Sequence, residues 1–104
     1  MGDFEFKVLA ALMHIQAEAY GLSIRQEIER RTGRSVSMGA VHATLNRLEK
    51  KGYLSSSLSD PLPHRGGKAR RLFRIEPAGK DAFKEAAAAV QAMLFGLGGI
   101  AEKP

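Results

Sequence analysis

The sequence holds 104 residues, 44% hydrophobic and 26% charged, with no Cys and no Trp, which is the composition of one ordinary globular domain. The absence of Cys excludes a disulfide framework, a thiolate nucleophile and a zinc–thiolate site. No apolar run approaches the roughly 20 residues that span a bilayer, and the acidic start Met1-Gly2-Asp3 is unlike a signal peptide, so a cytoplasmic protein without a membrane partner is expected.

Sixteen Lys and Arg against 11 Asp and Glu give a net charge of +5. Arg65, Lys68, Arg70, Arg71 and Arg74 all fall between Pro61 and Ile75, a stretch with no acidic residue. The remainder of the chain is balanced, so the whole excess is local. A positive patch on a neutral body suits a polyanion, most often nucleic acid; the plain alternative is a solvated basic loop. A domain this small buries only about two-thirds of its unfolded surface and draws part of its stability from a partner.

The first predicted helix runs from Phe4 to Ala17, with Phe4, Val8, Ala11 and Ile15 on one face and Leu9, Leu12 and Met13 widening it. That apolar sector is broader than the ~100° stripe of a helix facing one core, which predicts a second buried contact. A second helix spans Gly21 to Thr32, with Ile24 and Ile28 one turn apart and Gly33 placed to cap its end. Ser37 is a good N-cap for a third helix reaching Lys51, and Gly52 stands where a left-handed C-terminal cap belongs. In that helix Val41, Leu45 and Leu48 form the inward stripe. Gly39, Ala43, Asn46 and Lys50 lie opposite, flanked by His42 and Arg47.

Tyr53 to Leu58 and Ala69 to Ile75 read as two strands joined by the breaker-rich segment Ser59 to Lys68. Pro77 opens a fourth helix, where its missing N–H is no loss. Phe83, Ala86, Val90, Met93, Leu94 and Leu97 form its apolar seam, and Gly96, Gly98 and Gly99 end it. The fold class is therefore mainly α with a small β-hairpin. Three helices, a basic hairpin and a closing helix make a winged helix-turn-helix, in which small residues let the third helix approach a major-groove floor while the hairpin reaches phosphates.

The motifs carry a more specific likeness. Ala19-Tyr20-Gly21-Leu22-Ser23-Ile24, the run from Ser37-Met38-Gly39-Ala40-Val41-His42 through Gly52-Tyr53-Leu54, and Gly66-Gly67-Lys68-Ala69-Arg70-Arg71 followed by Pro77-Ala78-Gly79 resemble, in order and spacing, the PadR family of bacterial transcription regulators. The resemblance covers roughly Phe6 to Phe83. It implies a homodimeric repressor binding double-stranded DNA through residues 1–76. Residues 77–104 would supply a C-terminal dimerisation helix and tail within one compact unit, as in the family's short members. Phe83, Ala86, Val90, Met93, Leu94 and Leu97 are then the expected subunit contacts, with help from the first helix. The resemblance also admits a small hydrophobic effector between those helices. Two positions depart from the pattern: His42 stands where the family usually has Tyr, and Glu76 where a Thr commonly caps the fourth helix.

On the DNA-facing side Asn46 and Arg47 suit base edges or, equally, phosphates. Ser37 and Gly39 are expected near phosphates, and His42 at a phosphate or the groove rim; Ala43 and Lys50 complete the face. In the wing Arg65, Lys68, Arg70 and Arg71 are expected to touch phosphates, while Arg74 is as well suited to an internal ion pair. Tyr20, Tyr53 and Phe73 read as core. Enzyme chemistry finds no support: His14, His42 and His64 share no metal-ligand spacing, Gly-x-Ser-x-Gly is absent, and Gly66-Gly67-Lys68 lacks the rest of a phosphate loop. A winged-helix module that binds an acidic protein is the rival reading. It would call for exposed apolar anchors on the third helix, where the sequence has small, amide and cationic residues.

Overall fold

Each of the first three helices contributes one apolar stripe to a common core, in which Val8, Leu9, Ile24, Val41, Leu45 and Leu48 are fully shielded from solvent. The computed structural model describes residues 1–59 and 69–98. Helix α1 spans Asp3–His14, α2 Gly21–Thr32 and α3 Met38–Lys50; strands β1, Leu54–Leu58, and β2, Arg71–Ile75, precede α4, Pro77–Leu94. The two strands form an antiparallel hairpin with Leu54 opposite Ile75 and Leu58 opposite Arg71.

Local chemistry sets the boundaries. Gly33 takes a left-handed φ of 70° at the end of α2 and donates its N–H to the Glu29 carbonyl at 2.9 Å. At the start of α3 the Ser37 hydroxyl accepts from the Ala40 N–H at 3.0 Å. The other end closes with two nested bonds, Tyr53 N–H to the Leu48 carbonyl and Gly52 N–H to the Glu49 carbonyl, both 3.0 Å. With Gly52 at φ 80° this is a Schellman closure, which turns the chain directly into β1.

Two helices end earlier than their apolar patterns suggest. Helix α1 stops at His14 rather than Ala17, and Ile15 is already extended. The segment that follows is recruited by the sheet: Tyr20 bridges Leu72, and the Phe73 N–H donates to the Ala19 carbonyl at 2.8 Å. Helix α4 stops at Leu94, with Phe95 extended and Gly96 at φ 89°, so Leu97 lies beyond the helix. The strands are each trimmed at their first residues, Tyr53 and Ala69–Arg70, although Ser59 and Arg70 still exchange a backbone bond of 2.7 Å.

Helix α4 is fixed by a close approach that only glycine permits. A Cβ at Gly79 would lie 2.3 Å from the Tyr53 carbonyl oxygen, the same oxygen that accepts the Glu76 N–H at 2.9 Å. Glu76 does not cap the helix with its side chain; its carboxylate instead accepts from the Ser55 hydroxyl at 2.5 Å. Further along, the Phe83 ring stacks on Phe6 of α1 with centroids 5.0 Å apart and planes 18° from parallel. No helix among the described residues is long and apolar enough to cross a membrane.

Candidate nucleic-acid interface

Helix α3 divides cleanly. Val41, Thr44, Leu45 and Leu48 are buried, whereas Gly39, Ala40, His42, Ala43, Asn46, Arg47 and Lys50 are exposed. The outer face holds small residues in its first turns and hydrogen-bonding or cationic ones beyond, with no large apolar side chain among them. Its orientation depends on Gly21 at the start of α2. A Cβ there would sit 2.9 Å from His42 Cε1 and 3.1 Å from Met38 Cε, so the bare glycine lets α2 press against α3. His42 is thereby placed at the seam between the two helices. The turn between them is pinned by Glu29, whose carboxylate accepts from the Val36 N–H at 2.9 Å and from Arg25 at 3.3 Å. Those bonds, the backbone one foremost, hold the Glu29 carboxyl below its usual range.

Acidic groups that no sequence pattern marks hold two of the expected DNA-contacting cations, Arg47 and Arg71. On one flank of α3, Glu5 of α1 is buried with its carboxylate oxygens 3.0 and 3.1 Å from Lys51 Nζ. Arg47 Nε lies 3.6 Å from the same carboxylate, and Arg47 Nη2 donates to the Thr44 hydroxyl at 3.0 Å. The Gly2 N–H adds a third partner of the Glu5 carboxylate at 3.2 Å. The hydrogen bond from Lys51, opposed by burial and seconded by Gly2 and Arg47, keeps Glu5 ionised below its ordinary range.

On the opposite flank Arg71 Nη2 lies 2.5 Å from Glu49 Oε1. Its Nε donates to the Ser56 hydroxyl at 3.1 Å and its Nη1 to Asn46 Oδ1 at 3.4 Å. Arg70, just before β2, lies over the Tyr20 ring, 4.0 Å from its centroid. Arg74 is exposed and makes no ion pair with any described residue. Arg65 and Lys68 lie outside the described residues.

Of the aromatic residues read as core, Phe73 is buried while Tyr20 and Tyr53 are half-buried. The α4 seam splits along its length. Phe83, Ala86 and Leu94 are half-buried, whereas Val90, Met93 and Leu97 are 46%, 80% and 59% exposed. Phe95, outside the predicted seam, is 87% exposed. No spacing rule marks Glu5, Glu49 or Ser56. Glu5 reads as an ordinary first-turn acid and Glu49 as one charge in a polar run.

Comparison with known proteins agrees with this architecture. Residues 8–85 match the model of the transcriptional regulator PadR-like family. The chain is 37% identical over 86 residues to the transcriptional regulator Rv3488 of Mycobacterium tuberculosis, spanning 78% of this chain and 76% of that one. Among solved structures it is similar to a PadR family transcriptional regulator from Eggerthella lenta, with a TM-score of 0.70 at 23% identity over 93% of this chain and 82% of the other. F93 from STIV, a winged-helix DNA-binding protein, superposes with a TM-score of 0.74 at 16% identity over 92% of this chain and 96% of that one. The chain belongs to the PadR-like family of transcriptional regulators, and its work is that of a winged-helix DNA-binding regulator rather than an enzyme.

Proposed function

We propose that this regulator is a cytoplasmic repressor that binds an inverted-repeat operator as a homodimer. The observation that carries the reading is the contrast between two exposed surfaces. The outer face of α3 offers Gly39, Ala43, Asn46 and Lys50 without an apolar anchor, while the far end of α4 leaves Val90, Met93, Phe95 and Leu97 uncovered. The first suits a nucleic-acid groove, and the second suits another copy of the same helix. A two-fold pair would set two α3 helices in successive major grooves, about 34–36 Å apart. Ser37 and Gly39 lie at the helix start for phosphate contact, and His42 at its rim. Arg65, Lys68 and Arg70 supply wing cations for the flanking backbone. An open groove of about 420 Å³, lined by Met1, Gly2, Asp3, Phe6, Ala86, Ala89 and Val90 and so mainly apolar with one carboxylate, would take a small hydrophobic effector that releases the operator.

Selection of bound fragments from genomic DNA by the purified protein tests the reading. It should return fragments sharing an inverted repeat with half-sites one helical turn apart, and transcription from them in vitro should fall when the protein is added. Fragments with no common sequence, or with a single unrepeated half-site, would overturn it.

A further inference from the structure

Arg71 is expected from sequence to grip a phosphate, yet its guanidinium is already spoken for. Its Nε, Nη1 and Nη2 each have a protein acceptor: Ser56 Oγ at 3.1 Å, Asn46 Oδ1 at 3.4 Å and Glu49 Oε1 at 2.5 Å. Ser56 in turn donates to the other Glu49 oxygen at 2.8 Å. The guanidinium lies 5.1 Å from the centroid of the Phe73 ring two residues along β2. Glu49 and Asn46 sit one turn apart on α3, Ser56 on β1 and Arg71 on β2, so the cluster ties both wing strands to the recognition helix. It is also neutral, since Glu49 cancels the Arg71 charge. An uncharged cluster releases few counterions on meeting DNA.

The consequence falls on Asn46. An Asn amide that pairs with adenine needs its oxygen to accept from N6 while its NH2 donates to N7. Here the oxygen faces Arg71, which turns the NH2 the other way on an exposed side chain; among the described residues that NH2 has no partner. We infer that Arg71, anchored by Glu49 and Ser56, is a positioning residue that orients the Asn46 amide as a hydrogen-bond donor, so that Asn46 selects a base presenting a major-groove acceptor and rejects cytosine. Guanine N7 and O6, adenine N7 and thymine O4 are acceptors, whereas cytosine offers the N4 donor. This inference rests on the reading of α3 as the helix that reads base edges. It goes beyond that reading by fixing which chemistry Asn46 reads and what fixes it.

The test is a binding profile over all single-base operator variants for the wild type, Asn46→Ala, Arg71→Lys, Glu49→Ala and the doubles that combine Asn46→Ala with each of the last two. Thermal melts establish that each variant is folded. Arg71→Lys keeps the cation but not the planar fork, and Glu49→Ala releases Arg71 without removing it. The wild type should disfavour cytosine at one symmetric pair of positions by roughly five- to hundred-fold. Asn46→Ala should erase that preference, Arg71→Lys and Glu49→Ala should blunt it at the same pair, and neither should change it further when Asn46 is already Ala.

If Arg71→Lys and Glu49→Ala leave the profile's shape intact, or Glu49→Ala only steepens the salt dependence, Arg71 is a phosphate contact that Glu49 restrains, and the inference is wrong. A preference that survives Asn46→Ala also overturns it, leaving the repressor reading in place. A wild type with no sequence preference overturns both.

Discussion

Glu5 and Lys51 lie 46 positions apart in the chain and meet with Nζ 3.0 Å from Oε2, closing the start of α1 onto the end of α3. The acid is the buried partner and the cation is half-exposed, with side-chain exposures of 8% and 46%. The pair therefore falls between a surface ion pair of little value and a sealed one whose disruption is severe.

Glu5→Gln should cost about 1–2 kcal/mol at neutral pH on that basis. The folded protein holds this carboxyl below its ordinary value of 4.5, so the unfolded chain takes up the proton first as pH falls. The stabilisation is complete above about 4.5 and is lost as pH drops through the lower, folded value. Urea midpoints of wild type and variant should differ at pH 7 and converge toward pH 3. A gap of equal size at both ends would mean that the glutamate acts by packing rather than by charge.

What the sequence could reveal tracks how local each cause is. Helix α2 and the caps of α3 follow from Gly33, Ser37 and Gly52 acting on their immediate neighbours, and they were legible in order. The end of α1 was not, because Ala19 and Tyr20 leave the helix to lie beside Leu72 and Phe73, more than fifty positions on. Charge was legible as an amount but not as a pairing. Arg47 and Arg71 look like free DNA contacts until the tertiary fold brings Glu5 and Glu49 to them. The exposure of the outer face of α3 is legible in the sequence, since a three-to-four-residue period needs no knowledge of partners.

Two glycines should respond in opposite directions to one added methyl. Gly79→Ala would drive a Cβ to 2.3 Å from the Tyr53 carbonyl oxygen, a backbone atom that can move only with α4 or β1. The expected loss is at least about 2 kcal/mol. Gly39→Ala meets nothing within 4 Å and exchanges a poor helix former for the best one, a gain of up to about 1 kcal/mol. If Gly39 faces the DNA backbone, the same methyl weakens operator binding while the melting temperature rises. A stabilised variant with unchanged affinity would remove Gly39 from the interface.

Arg70 lies over the Tyr20 ring and, unlike Arg71, pairs with no carboxylate among the described residues, so its charge is not cancelled. Arg70→Ala should lower stability by about 0.5–1 kcal/mol through the lost contact with Tyr20. It should also weaken binding to operator and random DNA alike, flattening the plot of log affinity against log salt by about one unit. A loss confined to the operator would show that the wing reads bases.

The far end of α4 is the surface proposed to join two subunits. Val90 is 46% exposed in the single chain and Leu94 half-buried, with Met93 and Phe95 beside them almost wholly in solvent. A cluster of exposed apolar side chains of this kind marks an interaction surface. Replacing Val90 and Leu94 together with Asp places two carboxylates on the surface proposed to pair. The variant should sediment as a monomer or aggregate, where the wild type should sediment as a dimer at micromolar concentration. Because two half-sites bind cooperatively only when their helices are linked, the monomer should lose most of its preference for the full operator while keeping its weaker affinity for a single half-site. A wild type that sediments as a monomer would refute the dimer. A variant that stays dimeric would move the subunit contact to another surface, with the broad apolar face of α1 the next to test.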